Sequence, residues 1–511
     1  MSSCGNPIAD DGVLMPRRLK FDKGRHCVKC KLNLGNIVIR HAVYCRDCFT
    51  SSVTIKFKRG LEPHVNANAG TSKRPKLKAS GSLVIGFSGG LGSSVLLDLV
   101  YKTYFSSRSL IYENGEPRGG TKHPRNASVW TSFAVCYVEV ANAFPGEHDR
   151  TEEIRKALVQ YVNAEFIPLR LEDAFDESWW RSVAGTNDRS SLALELGKEG
   201  LLTEDLRLVP PSGDASPTAA LRAFLAALPT PTAISRAIHI LIRLLLLYTA
   251  RSRDASHLLL GASLTTLSVS LISCVAQGGG YSILEELQEE WVPPQATYSS
   301  VNSSIRVVRP LRDVTMKECT AFAWWNGIYV PGRPKTTRAT AGILNLTKDF
   351  IVGLEKDYPS TVSTIARTCS KLEPKSTSLR ECRLCCRPLQ EGLADWKAQI
   401  SMRSLSDTML VSNLTPASTC TSETYASSPS LVAYLCYSCL TMLTSRSSRK
   451  TGSSSTSEHL QRAPLPVWSR GTETLPQTMS FTGENGELLI QKRQTEVENR
   501  DSIIGFLLPS S

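Results

Sequence analysis

The sequence has no long hydrophobic run. Its longest apolar stretch, Ile238 to Tyr248, is interrupted by His239 and Arg243 and is too short to cross a bilayer. Nor is there an apolar leader, since Met1 to Gly12 are small and polar. These two absences predict an intracellular chain without a membrane partner. Acidic side chains are in deficit: 47 Asp and Glu stand against 59 Lys and Arg, a net charge of +12 with a pI near 9.0. That balance favours a polyanionic partner, with RNA or DNA ahead of a membrane surface. A reducing compartment leaves little room for disulfides. The 15 cysteines therefore need another reason, and metal binding is the leading one.

What is present fits a soluble globular protein, with 41% hydrophobic and 21% charged residues. A length of 511 residues exceeds one ordinary core and predicts two to four units. Residues 1–60 carry Cys27-Val-Lys-Cys30 and Cys45-Arg-Asp-Cys48, with fourteen residues between the pairs. Each pair can form a knuckle presenting two thiolates, and two knuckles complete a tetrahedral zinc site. Ile37 to Val43 fits a ribbon strand; Cys4 and His26 stand outside the fourfold set. Residues 61–81 read as a basic linker containing Lys73-Arg-Pro-Lys-Leu-Lys78. This run suits a phosphate backbone, a nuclear import signal or simply solvent.

The stretch Gly81 to Val100 reads as a short apolar strand, a loop of small residues and an apolar helix. Such a junction leaves the first amides of the helix pointing outward with the helix dipole behind them, which makes an anion site. Ser88, Gly89, Gly90, Gly92, Ser93 and Ser94 are the candidate phosphate-binding residues. No lysine follows the glycines, so the loop is not a Walker loop, and its spacing is not the dinucleotide fingerprint. Further strands are expected at Trp130–Val140, Glu165–Leu169, His257–Ala262 and Ile305–Leu311. Helices are expected at Arg150–Asn163, Thr232–Ala250, through Leu271 and Cys274, at Thr315–Asn326 and at Ala341–Tyr358. Tyr112–Ala127 reads as a surface insertion, Pro210–Pro217 as a loop, and Glu172–Ala227 as less regular overall. The alternating order argues for an α/β domain over residues 82–370 with a parallel, doubly wound sheet, whose ligands sit beyond the carboxyl ends of the strands.

Residues 380–445 hold two further knuckles, Cys382-Arg-Leu-Cys385 and Cys436-Tyr-Ser-Cys439. Their fifty-residue spacer includes a Ser/Thr-rich stretch from Ser401 to Ser430. A second zinc ribbon with an insertion is the reading, with Cys386 a bystander thiol. Residues 446–511 combine a low-complexity segment with an apolar tail, Ile503 to Leu508.

The loop resembles the Ser-Gly-Gly-x-x-Ser pyrophosphate loop of the ATP pyrophosphatases. Taken with the two four-cysteine ribbons, and with Arg309-Pro-Leu-Arg-Asp313 and Glu318, it resembles the tRNA thiolation proteins. Within them it is most similar to the cytoplasmic tRNA 2-thiolation protein 2 family, over residues 1 to about 445. That resemblance implies the adenine nucleotide alpha hydrolase-like type of α/β sheet. It also implies a cytoplasmic role in replacing the 2-oxygen of the wobble uridine by sulfur, as in forming 5-methoxycarbonylmethyl-2-thiouridine. The implied partners are tRNA, a catalytic paralogue in a heterodimer, and a ubiquitin-like carrier ending in a thiocarboxylate. The implied cofactors are structural zinc, and ATP with magnesium in the active members.

The departures from the active members' pattern set the expectation for chemistry. Gly92 stands where they carry Asp, and Thr230-Pro-Thr-Ala233 where they carry Cys-x-x-Cys. Gly261-Ala-Ser-Leu-Thr-Thr266 replaces Gly-His-Asn-x-Asp-Asp, and Val330-Pro-Gly-Arg-Pro334 stands where a further cysteine is expected. Independently of the resemblance, Cys136, Cys274, Cys319 and Cys369 are the only cysteines between residues 82 and 370, and none forms a Cys-x-x-Cys. Cys136, Cys274 and Cys319 are expected to be buried structural thiols. No residue is assigned a catalytic role. The expected function is a catalytically degenerate, tRNA-holding subunit. A self-sufficient sulfurtransferase and a zinc-ribbon nucleic-acid adaptor are the alternatives.

Overall fold

Short runs of β-branched and aromatic residues, each followed by a helical stretch, set the architecture. The computed structural model describes residues 25–40, 42–65, 81–106, 129–144, 146–184, 194–195, 207–208, 216–292, 304–332, 342–372, 380–390, 393, 434–444 and 462–470. Cys4, Lys73–Lys78, Tyr112–Ala127, Ser401–Ser430, Ser445–Ser457 and Ile503–Leu508 lie outside them.

In chain order the elements begin with the hairpin β1 (Ile37–Ile39) and β2 (Ala42–Tyr44) and helix α1 (Arg46–Val65). Next come β3 (Ser82–Gly86), α2 (Leu91–Val100), β4 (Ser132–Glu139), α3 (Thr151–Leu158), β5 (Ala164–Arg170) and α4 (Glu177–Ala184). Two-residue strands β6 (Leu194–Glu195) and β7 (Arg207–Leu208) precede α5 (Pro217–Ala227), α6 (Pro231–Ser252), β8 (Ala255–Leu260) and α7 (Leu264–Ala276). The chain continues with α8 (Leu284–Leu287), β9 (Glu289–Trp291), β10 (Ile305–Val308), α9 (Met316–Trp325), α10 (Ile343–Asp357) and α11 (Thr361–Cys369). Helix α12 (Tyr437–Thr444) and β11 (Arg462–Ala463) complete it.

The main sheet has the order β5-β4-β3-β8-β10-β9. Its first five strands are parallel, as the alternation of strands and helices predicts. The edge strand β9 was not foreseen and runs antiparallel to β10. The strand order reverses between β3 and β8, which is where ligands bind in sheets of this kind. β3 shows why both faces are covered: Leu83, Ile85 and Phe87 enter one core with α1, α2, α3 and α9, while Val84 enters the other with α5 and α6.

Three differences from the sequence reading have physical causes. The expected ribbon strand is a hairpin, because Arg40 takes a left-handed turn at φ 54° and folds Ala42–Tyr44 back onto Ile37–Ile39. The expected linker start at residue 61 is helical. Phe49, Val53, Phe57, Leu61 and Val65 recur every fourth residue, and this buried stripe carries α1 across Pro63 to Val65. Gly60 lets α1 approach closely, since a Cβ there would stand 2.6 Å from the carbonyl oxygen of Pro310.

The third difference is α6. By length and composition it is the one helix among the described residues apolar enough to cross a membrane, and it is mostly buried in the core. It begins at Pro231 because Thr230 caps it, its Oγ1 accepting from the Ala233 amide at 3.1 Å. α9 starts with a full capping box between Thr315 and Glu318.

Candidate functional site

The chain's candidate chemistry lies in two four-cysteine clusters and in the glycine loop after β3. At the N-terminal cluster, the Cys27 amide donates to Asn33 and the Lys31 amide to Cys27, forming the first knuckle, with Lys31 at φ 60°. The second knuckle is the first turn of α1. The Sγ atoms of Cys27, Cys30, Cys45 and Cys48 lie within 4.8 Å of one another, with Cys30 and Cys45 3.8 Å apart. Cys27 and Cys45 are buried, and Cys30 and Cys48 are partly open. Burial opposes ionisation of Cys27, but backbone donors from Cys30, Cys45 and Lys29 outweigh it and bring the thiol down to about 6.

The C-terminal cluster joins Cys382, Cys385, Cys436 and Cys439, all buried, again within 4.8 Å and with Cys385 and Cys436 3.7 Å apart. It is part of the core on the α6 face of the sheet. Trp468 closes over it, donating from Nε1 to the Leu384 carbonyl at 3.1 Å and stacking on Tyr248.

Arginines surround this cluster. Arg243 Nη1 donates to the Cys385 carbonyl at 2.8 Å while its guanidinium pairs with Glu289. Arg387 pairs with buried Glu286 at 2.7 Å, and Arg236 lies 3.7 Å from the same carboxylate. Arg236 and Arg243 thus turn inward. The side of α6 that carries them is packed against the cysteines. Nε of Arg387 and Nε of Arg236 have no hydrogen-bond partner. Four thiolates around a divalent ion carry net negative charge, and buried guanidinium groups compensate such a charge. Both sets of residues therefore suit one tetrahedral metal ion each.

Cys386, at φ 49°, lies outside the cluster and is raised to about 12 by burial. Cys136 and Cys319 are likewise raised to about 12 by burial, and Cys274 to about 11. They are buried thiols, as expected from their strand and helix positions.

The loop from Ser88 to Ser94 sits at the carboxyl end of β3, at the reversal of strand order. No side chain caps α2 at Gly90, which is the arrangement of an anion cradle. The hydroxyls turn inward. Ser93 Oγ and Ser94 Oγ donate to the Gly90 carbonyl at 2.9 and 3.1 Å, and the Ser88 amide donates to Ser93 Oγ at 3.3 Å. One backbone acceptor of the loop is engaged by a distant segment. Gly332 donates its amide to the Gly89 carbonyl at 2.9 Å. Arg150 clamps that segment, giving Nη1 to the Gly332 carbonyl at 3.0 Å and Nη2 to the Pro331 carbonyl at 3.1 Å.

Gly92 faces Gly261 of the β8–α7 turn so closely that a Cβ at 92 would overlap the Gly261 carbonyl oxygen. A Cβ at 261 would in turn stand 2.6 Å from the carbonyl of Gly92. Two of the segments that depart from the active pattern are helix caps: Thr230 caps α6, and Ser263 Oγ caps α7 through the Thr266 amide at 3.2 Å.

Glu318 and Arg309 are both buried. Glu318 binds Lys56 of α1 and closes the α9 cap, and Arg309 lies on the turn after β10. Glu139 was missed in the sequence. Its buried carboxylate accepts from the Val140, Ala141 and Arg150 amides at 2.7, 2.9 and 2.7 Å and from Tyr137, so it shapes the turn that presents Arg150. A lone acid at the end of an apolar strand was its only signal.

The family model for cytoplasmic tRNA 2-thiolation protein 2 matches residues 342–441, which include all four C-terminal cysteines. The cytoplasmic tRNA 2-thiolation protein 2 of Danio rerio is 25% identical over 401 residues, covering 71% of this chain and 72% of the relative. The Homo sapiens protein of that name is 25% identical over 392 residues, covering 72% and 70%. The Arabidopsis thaliana one is 24% identical over 382 residues, covering 72% and 68%. Among solved structures, the U34-tRNA thiolase NcsA from Methanococcus maripaludis with its [4Fe-4S] cluster overlays with a TM-score of 0.41 at 14% identity, covering 68% of this chain and 87% of that one. The family match is thus to cytoplasmic tRNA 2-thiolation protein 2, through its model over the C-terminal cysteines and through its curated members over more than two thirds of the chain.

Proposed function

We propose that this chain is the non-catalysing, tRNA-holding subunit of a cytoplasmic complex that converts the wobble uridine of tRNA to its 2-thio form. A paralogous subunit carries the active site, and the complex takes its sulfur from a ubiquitin-like thiocarboxylate carrier. The observation that carries this reading is the crowded position 92, where the backbone of Gly261 leaves no space for a side chain. Thiolation through an adenylated oxygen needs a phosphate cradle, a carboxylate for the metal and a reactive thiol nearby. Here position 92 has no room for any side chain, so no carboxylate can stand there, and the strand-end turn at Gly261 packs directly against it. Cys136, at the carboxyl half of β4, is raised to about 12 by burial, far from the thiolate range at neutral pH. Ser88, Gly89, Gly90, Gly92, Ser93 and Ser94 then serve as an inherited loop that fixes α2 rather than as an ATP site.

Zinc is the proposed ion for Cys27, Cys30, Cys45 and Cys48, and for Cys382, Cys385, Cys436 and Cys439. Four sulfurs at about 2.3 Å from one zinc ion are about 3.8 Å apart. The closest pairs described above match that spacing. A cubane cluster would bond each sulfur to a separate iron and hold the sulfurs further apart.

The test is a deletion strain of the source organism, with wobble 2-thiouridine read by mass spectrometry of bulk tRNA. The expected result is loss of the modification, restored by the unaltered chain and equally by a Ser93→Ala variant. Normal 2-thiouridine in the deletion would remove the thiolation role. Rescue that fails only when Ser93 is changed would return the loop to the chemistry.

A further inference from the structure

A surface on the opposite side of the sheet from the C-terminal cysteines combines an excess of positive side chains with exposed aromatic rings. Residues 25–48 contain Arg25, Lys29, Lys31, Arg40 and Arg46 against the single acid Asp47. This ribbon docks along α9. Lys317 Nζ donates to the Val38 carbonyl of the hairpin at 2.9 Å. Arg46 donates to the Trp325 carbonyl at the other end of the helix, and Phe49 packs edge-on against Trp325 at 5.2 Å.

Trp324 lies seven residues after Lys317, two turns along the same face and about 10 Å away. It is 82% exposed, the most exposed large apolar side chain among the described residues. Tyr329, 56% exposed, follows past the Gly327 turn, and three residues later Gly332 bonds the glycine loop at the Gly89 carbonyl. The aromatic pair therefore bridges the basic ribbon and the carboxyl edge of the sheet.

A Trp ring left in water beside a ribbon with five cations and the single acid Asp47 suits an anionic partner that offers flat faces. RNA with unpaired bases is that partner: aromatic rings stack splayed bases while the cations follow the phosphates. A duplex hides its base faces and would use only the charges.

We propose that Trp324 stacks an unpaired base of tRNA, with Tyr329 beside it and the ribbon cations Lys29, Lys31 and Arg46 holding the flanking backbone. The proposal rests on the tRNA-holding reading above and gives that reading a location.

The test is filter binding of the full chain to an unmodified tRNA transcript and to a blunt RNA duplex of equal length. Trp324→Ala is expected to weaken tRNA binding by about five-fold or more, in line with base stacking on an aromatic ring. It should leave duplex binding and the melting temperature unchanged, and Trp324→Phe should keep most of the affinity. Lys29→Gln with Lys31→Gln should weaken both RNAs and flatten the salt dependence for tRNA by a slope of about 1.4. Equal tRNA binding by Trp324→Ala and the unaltered chain would overturn the stacking role. If Trp324→Ala instead loses a co-purifying protein at unchanged tRNA affinity, the surface is a protein interface and the proposal falls. A chain that binds the duplex as tightly as tRNA, or neither of them, would remove the tRNA-holding reading itself.

Discussion

The two four-cysteine clusters have the same ligand type and nearly the same sulfur spacing, yet they are built into the molecule differently. The N-terminal cluster is held outside the core. Its own cysteines join neither large apolar cluster, and its link to the sheet is α1, which buries Phe49, Val53, Phe57, Leu61 and Val65 beside α9. The C-terminal cluster is core: all its cysteines pack with α6, Tyr248 and Trp468, and buried arginines surround it. Similar local chemistry therefore does different work. One cluster shapes a basic, exposed surface. The other closes one face of the sheet, and it lies in the segment that the family model matches.

That contrast is sharpest in the response to ligand loss. Cys382→Ser with Cys385→Ser is expected to cost at least about 4 kcal/mol, or to leave the chain insoluble, because the metal's binding energy is folding energy in a buried site. Cys27→Ser with Cys30→Ser should halve the bound zinc while moving the main melting transition by no more than about 2 °C. Melting curves with metal analysis on both variants check this. Equal destabilisation by the two would erase the distinction.

The arginine surround gives the next largest effect. Arg387→Met takes from buried Glu286 its closest cation and leaves it the more distant Arg236 and the Ser270 hydroxyl, and breaking such a pair costs about 3 kcal/mol. Urea unfolding measures it. A neutral result would mean that the guanidinium groups compensate nothing.

The smallest effect belongs to the seat of α1. His257 Nε2 lies 3.0 Å from the His64 carbonyl at the end of that helix. Burial holds His257 below its ordinary 6.5, and burial followed by Arg312 does the same for His64. A histidine lowered in the folded state takes up its proton more readily when unfolded. Its contribution is therefore complete above pH 6.5 and declines as pH falls below it. The melting temperature should drop on acidification below 6.5, and His257→Gln should reduce that drop. An unchanged acid sensitivity in the variant would mean that α1 is not seated through this histidine.

Much of this was legible in the residues. The five parallel strands, the helices after them, and both cysteine quartets follow from short-range pattern and spacing. So does the buried state of Cys136, Cys274 and Cys319. Helix α1 was also written there, as apolar residues at every fourth position from Phe49 to Val65, but its β-branched residues, charges and Pro63 obscure the pattern. What the sequence could not reveal is long-range. Gly92 against Gly261, Gly332 on Gly89, and Arg243 on the Cys385 carbonyl each join segments far apart in the chain. No periodicity encodes such meetings. The inward turn of Arg236 and Arg243 is the clearest case, because charged residues on one side of a helix ordinarily face water.

If this chain contributes surface and architecture while the chemistry occurs in a partner, it should not activate uridine on its own. The most direct measurement is pyrophosphate release by the purified full chain with ATP, magnesium and unmodified tRNA. The expected rate is no different from the protein-free blank. Release above that blank, abolished by Ser93→Ala and absent without tRNA, would contradict it.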